Sequence, residues 1–467
     1  MTLAVSPRIS TAVPAVVGAD LPVPLVTGER VGYANLDHAA SAPCLRQVRD
    51  AVDEFLPYYA SVHRGAGYCS QVSTRVYEQA RDVLRRFVGA PRTDAVVFTR
   101  NTTDALNVLA NALPRNTSVV LFDTEHHAAL LPWRGSRVYR IETPRTRSAA
   151  VDAVDAALAS CPVGPRLLVV TGASNVTGER FPITRLAQVA RANGARIALD
   201  AAQLAPHERI DIQACDIDYV VLSGHKLYAP FGAGALIGRA DWLRAAPPYL
   251  LGGGATALVS RVDQRLSVSW SLGEQRHEAG SPNVVGVHAL AAACTAISQH
   301  REAIEEHERE LARRLRDGLA TVPGLRRLAI FDGDEGTGPQ ATGGDDGAGP
   351  LAIDGAPDAV GVVSFALDGF DPGLLAAALS AEYGIGVRDG AFCAHIATAR
   401  LLARAGAVGT KAVRVSVGLG TTGEHIDRLI TALHSLVSGG TAWRYERVDG
   451  RYQPVDDPRQ LPPFLLV

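Results

Sequence analysis

Lys226 closes the run Tyr219-Val-Val-Leu-Ser-Gly-His-Lys226, just past an apolar stretch that reads as a buried strand. A second such stretch, Arg196 to Leu199, ends at Asp200, which Ala201, Ala202 and Gln203 follow. An amine and a carboxylate on neighbouring strand ends sit where open α/β sheets bind ligands. They are either a plain ion pair, since buried charges usually occur paired, or the working end of a site in which the amine forms a Schiff base. Two more groups follow strand-like runs. Thr102 and Thr103 come after Ala95 to Thr99 and can open a helix through Leu106 and Leu109, so N–H groups and hydroxyls there suit a phosphate. His126 comes after Ser118 to Phe122 and offers a flat ring, although alone it reads equally as a satisfied polar side chain, as does His127.

An amine, an acid, a flat ring face and phosphate donors are together what pyridoxal phosphate (PLP) requires of a protein. The elements around these residues fit that use. Val76, Tyr77, Ala80, Val83, Leu84 and Phe87 recur at helical spacing, with Gly89 and Pro91 closing the segment. Short apolar runs follow at 95–99, 118–122, 167–171, 196–199, 219–222 and 235–237, mostly separated by enough chain for a crossover helix. The pattern predicts an α/β protein with a doubly wound, mainly parallel sheet. Beyond about residue 300 the texture changes to a charged helix (301–319), strands at 360–367, 385–388 and 413–419, and helices at 373–382 and 424–436, which reads as a smaller α+β domain. The expected division is an N-terminal segment 1–44 packing with the small domain, a large domain 45–300, and a small domain 301–467. A Gly/Asp-rich stretch at 331–357, almost without large apolar residues, reads as a mobile surface insertion.

With 467 residues, 47% of them hydrophobic, the chain can bury a large core, and 46 basic against 48 acidic residues give no field that favours nucleic acid or a membrane. The six cysteines include no CxxC pair, which argues against a metal site or a disulfide framework and for a reducing cytoplasm. Pro14, Pro22 and Pro24 break the apolar N-terminus, so no signal peptide or membrane span is expected.

The segments Val62-His-Arg-Gly65, Val97-Phe-Thr-Arg-Asn-Thr-Thr-Asp-Ala-Leu-Asn107, Glu125-His-His-Ala128, Ser174-Asn-Val176, Asp200-Ala-Ala-Gln203, Ser223-Gly-His-Lys-Leu-Tyr228 and Glu278-Ala-Gly-Ser-Pro-Asn283 occur in this order. Together they resemble the cysteine desulfurase/selenocysteine lyase branch of the class V aminotransferases, over roughly 33–325 and 360–438. The resemblance implies PLP fold type I, with Lys226 as the Schiff-base lysine, Asp200 at the pyridine nitrogen and His126 stacked on the ring. It places Asn175 and Gln203 near the ring hydroxyl, with Thr102, Thr103, Ser223 and His225 on the phosphate. Ser281 would reach the phosphate of a neighbouring subunit, implying a homodimer.

Val387-Arg-Asp-Gly-Ala-Phe-Cys-Ala-His395 resembles the cysteine loop of the same branch. Sulfur removal needs a thiol outside the Schiff base, on a loop that can swing, and the resemblance makes Cys393 that thiol. It makes Arg414 the fork for the substrate carboxylate, with Arg388, His63 and Asn175 also near the substrate. Members of this branch usually carry His-His before the cysteine and Pro soon after; here Ala391 and Phe392 precede it and His395-Ile396 follows. The remaining cysteines read as small apolar residues.

The expected activity is therefore desulfuration of L-cysteine or a related amino acid to alanine, with an enzyme persulfide and a possible sulfur-acceptor protein. The departures around Cys393 keep a PLP-dependent C–S or C–Se β-lyase, or an aminotransferase, as the alternative. A non-catalytic PLP-fold sensor would need a partner or DNA-binding segment, and neither end of the chain supplies one.

Overall fold

A computed structural model describes residues 13–63, 65–332 and 359–465, so the expected insertion lies outside the described residues except for Phe331 and Asp332. The apolar runs form one sheet of seven strands: β1 (Ala95–Thr99), β2 (Ser118–Phe122), β3 (Arg137–Ile141), β4 (Arg166–Thr171), β5 (Arg196–Asp200), β6 (Tyr219–Ser223) and β7 (Gly234–Gly238). Their order is β1-β7-β6-β5-β4-β2-β3. All neighbours pair in parallel except β7, which runs antiparallel to both β6 and β1.

Side chains alternate along each strand into two cores, one per face. On one face Phe98, Phe122, Val170, Leu199 and Leu222 pack with Tyr77, Leu84, Leu186 and Ile297. On the other, Val97, Leu121, Val169, Ala198 and Val221 pack with Leu106 and Leu109. Burial on both faces explains why the central strands read as continuous apolar runs. The mainly parallel, doubly wound sheet expected from the sequence is what the chain forms.

A second sheet has four strands: β8 (Leu325–Arg327), β9 (Val362–Leu367), β10 (Arg388–Gly390) and β11 (Ala412–Ser416), in the order β8-β9-β11-β10 and antiparallel throughout. The strand expected at 385–388 is in fact two pieces. Ile385–Gly386 pairs with Ala34–Asn35, and the chain joins the four-stranded sheet only at Arg388. The N-terminal segment thus meets residues 385–386, and Asp37 bridges to Ser416.

A buried charge pair ties helix Tyr68–Phe87 to β1. Arg81 donates to Glu278 from Nη1 to Oε1 at 2.8 Å and from Nη2 to Oε2 at 2.7 Å, and the Phe98 N–H donates to Oε1 at 2.7 Å. Removing one partner strands the other charge away from water. Arg81→Ala is expected to lower stability by about 3–5 kcal/mol, read by denaturant unfolding.

Candidate active site

The C-terminal ends of β1, β2, β4, β5 and β6 converge on a cavity of ≈ 270 Å³. Chain direction across the sheet reverses between β2 and β4, and this is where open α/β sheets form their ligand crevice. Lys226, Asp200, Gln203, His126, Asn175, Thr102, Thr103, Ser223 and His225 line the cavity from the large sheet. Arg388, Cys393 and Arg414 line it from the other side. Among the described residues no cluster of three potential ligands could hold a metal, and no helix is long and apolar enough to cross a membrane.

At the mouth of β1, Asn101 caps helix Thr102–Ala112 by accepting from the Asp104 N–H at 3.0 Å. The Thr102 N–H donates to Ser223 Oγ at 2.8 Å, and that hydroxyl donates to Thr102 Oγ1 at 3.0 Å. Gly234 makes this junction possible, because a Cβ there would stand 2.7 Å from the Asn101 Cα and 2.6 Å from the Leu222 carbonyl. Two threonines at a helix N-terminus, joined to a serine from the end of β6, form a cradle for an anion.

Deeper in, Asp200 is 3% exposed, and one of its oxygens accepts from the Ala202 N–H at 3.0 Å. Burial raises its pKa, against the pull of that N–H and of Lys226. Burial likewise pushes Lys226 down to about 8, with Asp200 opposing the fall and Arg414 adding to it. Lys226 and Lys411 are the only lysines of the chain, and Lys411 is exposed outside this cavity. His126 accepts from the Ala128 N–H through Nδ1 at 3.0 Å, while burial and then Lys226 lower its pKa to about 4, so it is a neutral ring.

Arg414, 2% exposed, donates from Nη1 to the Asn175 carbonyl at 2.9 Å and from Nη2 to Asp37 Oδ1 at 3.1 Å, while its Nε has no partner. Arg388 Nε also donates to Asp37, to Oδ2 at 3.1 Å. A buried guanidinium with one open N–H direction is suited to an incoming carboxylate.

Cys393 is exposed at the cavity mouth and, among the described residues, is the one cysteine of that class. Two hydrogen bonds hold the carbonyls of its loop. Asn175 Nδ2 donates to the Phe392 carbonyl at 2.7 Å and the His127 N–H to the Cys393 carbonyl at 2.8 Å. Phe392 and Cys393 sit at φ 54° and 53°, a left-handed geometry that persists only where surroundings impose it. Helix His395–Arg404 then starts at once, and its Arg400 donates from Nη1 to Asp123 Oδ1 at 2.7 Å.

His63 and Ser281 do not reach this cavity. They line a second one of ≈ 640 Å³ beside Tyr59 and Glu278, and His63 Nε2 lies 2.9 Å from Glu78 Oε1. The local pattern carries no signal for Asp37, which lies hundreds of residues from both arginines it holds. It carries a fainter signal for Glu125, inside a quoted motif. The Glu125 carboxyl is 1% exposed, with Oε1 accepting from the Thr171 N–H at 3.0 Å and Oε2 unpartnered. Burial, with the charge of Asp200 nearby, drives its pKa well above the usual carboxylate range.

The donor set fits PLP. The cradle suits its phosphate, the neutral His126 its ring face, and a cationic ring nitrogen would give Asp200 a counter-charge in its buried setting. The family model for class V aminotransferases matches residues 34–335 and 350–429. A probable cysteine desulfurase from Vibrio cholerae is 33% identical, covering 88% of this chain and 95% of its own. A cysteine desulfurase from Dickeya dadantii is also 33% identical, covering 90% and 96%. Among solved structures, a cysteine desulfurase from Escherichia coli superposes with a TM-score of 0.69 at 29% identity, covering 87% of this chain and 95% of its own. An apo cysteine desulfurase from Thermococcus onnurineus gives 0.72 at 27% with the same coverages.

Proposed function

The chain belongs to the class V aminotransferase family, and from that premise we propose that it is a PLP enzyme that removes sulfur from L-cysteine, leaving alanine and a persulfide on Cys393. The observation that carries this reading is the meeting, in one cavity, of Lys226 beside Asp200 with an exposed thiol and a buried arginine.

Lys226 would carry the group, Asp200 would hold its ring nitrogen, His126 its ring face, Asn175 and Gln203 its hydroxyl side, and Thr102, Thr103, Ser223 and His225 its phosphate. When bound, PLP supplies an electron sink that makes bonds at the substrate α-carbon easier to break. Arg414 holds the substrate carboxylate and so aims the substrate sulfur at the cavity mouth. Lys226, with its pKa near neutrality, takes and returns protons at the α-carbon. Cys393 attacks as thiolate: the S–S bond forms as the C–S bond breaks, the electron pair stays with the carbon fragment, and a proton there completes alanine. Cys393 is exposed at the cavity mouth, where an acceptor protein can reach the thiol.

A homodimer is part of this proposal, supported by the exposed Leu258, Leu266 and Leu272 on and beside hairpin 256–270, near the cavity that holds His63 and Ser281. So is a cytoplasmic setting, supported by six cysteines that form no disulfide with one another. A division into an N-terminal segment 1–44, a large domain 45–300 and a small domain 301–467 is also part of the proposal.

The test is to supply L-cysteine, L-selenocysteine and cysteine conjugates and to measure alanine, pyruvate and sulfide. Alanine with protein-bound persulfide supports desulfuration. Pyruvate with ammonia supports the β-lyase alternative, which the altered Cys393 loop favours. Arg414→Lys replaces a planar fork by a point charge, and kcat/KM for every α-amino acid substrate is expected to fall by about tenfold or more. Unchanged KM and kcat would remove Arg414 from the substrate site.

A further inference from the structure

A line of buried polar groups runs from Lys226 away from the cavity. Lys226 Nζ donates to Gln203 Oε1 at 3.3 Å. The other end of that amide, Nε2, stands 3.3 Å from His207 Nε2, and His207 Nδ1 lies 2.7 Å from Glu308 Oε2. Gln203, His207 and Glu308 are 3%, 7% and 5% exposed. Gln203 and His207 follow β5, whereas Glu308 comes from helix Arg301–Ala320. The second oxygen of Glu308 is buried without a partner. His38 and Glu208 face His207, and Tyr228, Glu305 and Arg301 face Glu308; the Arg301 guanidinium donates to the Ala205 and Pro206 carbonyls at 3.2 Å each. A carboxylate kept buried with half its hydrogen-bonding capacity unused calls for an explanation beyond packing.

We propose that Glu308 and His207 are positioning residues that, by fixing one imidazole tautomer, fix which end of the Gln203 amide faces Lys226. An ionised carboxylate only accepts, so the ring proton facing it sits on Nδ1. A neutral ring then presents a lone pair at Nε2, which the NH₂ end of Gln203 meets. The carbonyl end is thereby turned to Lys226, where it accepts a hydrogen from Nζ. A flipped amide would set two donors against each other at Lys226 and two acceptors against each other at His207. The relay thus keeps an acceptor, rather than a donor, beside the reactive nitrogen.

The part of this inference that concerns cofactor behaviour rests on Lys226 carrying PLP; the tautomer itself does not. Nitrogen-15 NMR of histidine-labelled protein as purified should show His207 neutral, protonated on Nδ1 and bare on Nε2, and Glu308→Gln should move protonation toward Nε2. In the PLP-loaded protein, loss of the acceptor disfavours a proton on the Lys226 nitrogen. The pH midpoint of the visible absorbance should therefore fall by about one unit in both Glu308→Gln and His207→Leu, a tenfold change in the proton equilibrium. Neither variant should shift it further in a Gln203→Leu background. If Glu308→Gln does not fold, His207→Leu keeps the apolar volume and carries the same test. The inference is overturned by wild-type His207 protonated on Nε2, or by unmoved midpoints in variants whose Tm alone falls. A wild type without visible absorbance overturns the PLP reading instead, and the NMR result then decides the relay.

Discussion

Lys226→Ala is expected to abolish turnover, by at least about 10³-fold in kcat, and to remove the visible absorbance that PLP acquires on a lysine. No second amine can substitute, since Lys411 is exposed outside the cavity and all other cationic side chains apart from histidines are arginines, which do not form Schiff bases. Borohydride reduction of the loaded wild type should fix the label on the Lys226 peptide alone. The pH dependence of loading follows from the lowered pKa. The neutral amine is the nucleophile, so incorporation into the apo-protein should rise as pH passes about 8 and level off above it. An ordinary lysine, with its pKa near 10.5, would still be gaining rate there. Retained absorbance in Lys226→Ala would end the PLP reading.

The central sheet and most of this site were legible for one physical reason. Strands buried on both faces must be apolar throughout, so their ends are visible, and ligand-binding groups of open α/β sheets sit at those ends. Asp200 and Lys226 were read that way. Edge strand β3 was missed because Arg137–Ile141 is half exposed and carries arginine at two of its five positions. The break between residues 386 and 388 was missed because it depends on a partner, Ala34–Asn35, some 350 residues away. Long separation also hid Asp37, which binds Arg414 across 377 positions, and Glu308, which meets His207 across 101. Local pattern shows where a strand ends, whereas the charges that complete a site from a distant element leave no local trace.

Cys393 is the residue whose replacement separates the two chemistries. Asn175 and His127 hold the loop's carbonyls, and Phe392 lies under the Arg414 guanidinium at 5.0 Å. Each of these holds acts on the backbone or on Phe392, so Cys393→Ser should leave the loop, the bound PLP spectrum and the binding of cysteine unchanged. A hydroxyl cannot carry a persulfide. If Cys393 accepts the sulfur, alanine formation from cysteine should therefore fall by about 10³-fold or more, with KM little changed. Mass spectrometry of wild-type protein after cysteine treatment should find added sulfur on the Cys393 peptide and on none of the others. Cys161, Cys215 and Cys294 are buried, and burial pushes the Cys294 thiol up, away from the reactive thiolate form. Because the persulfide must be discharged before the next turnover, alanine release on free cysteine should show a burst of about one equivalent and then a slower phase that speeds up when a stronger thiol reductant is added to remove the sulfur. A Cys393→Ser enzyme that turns over as fast as wild type makes the thiol structural, and the C–S lyase or aminotransferase reading then takes its place.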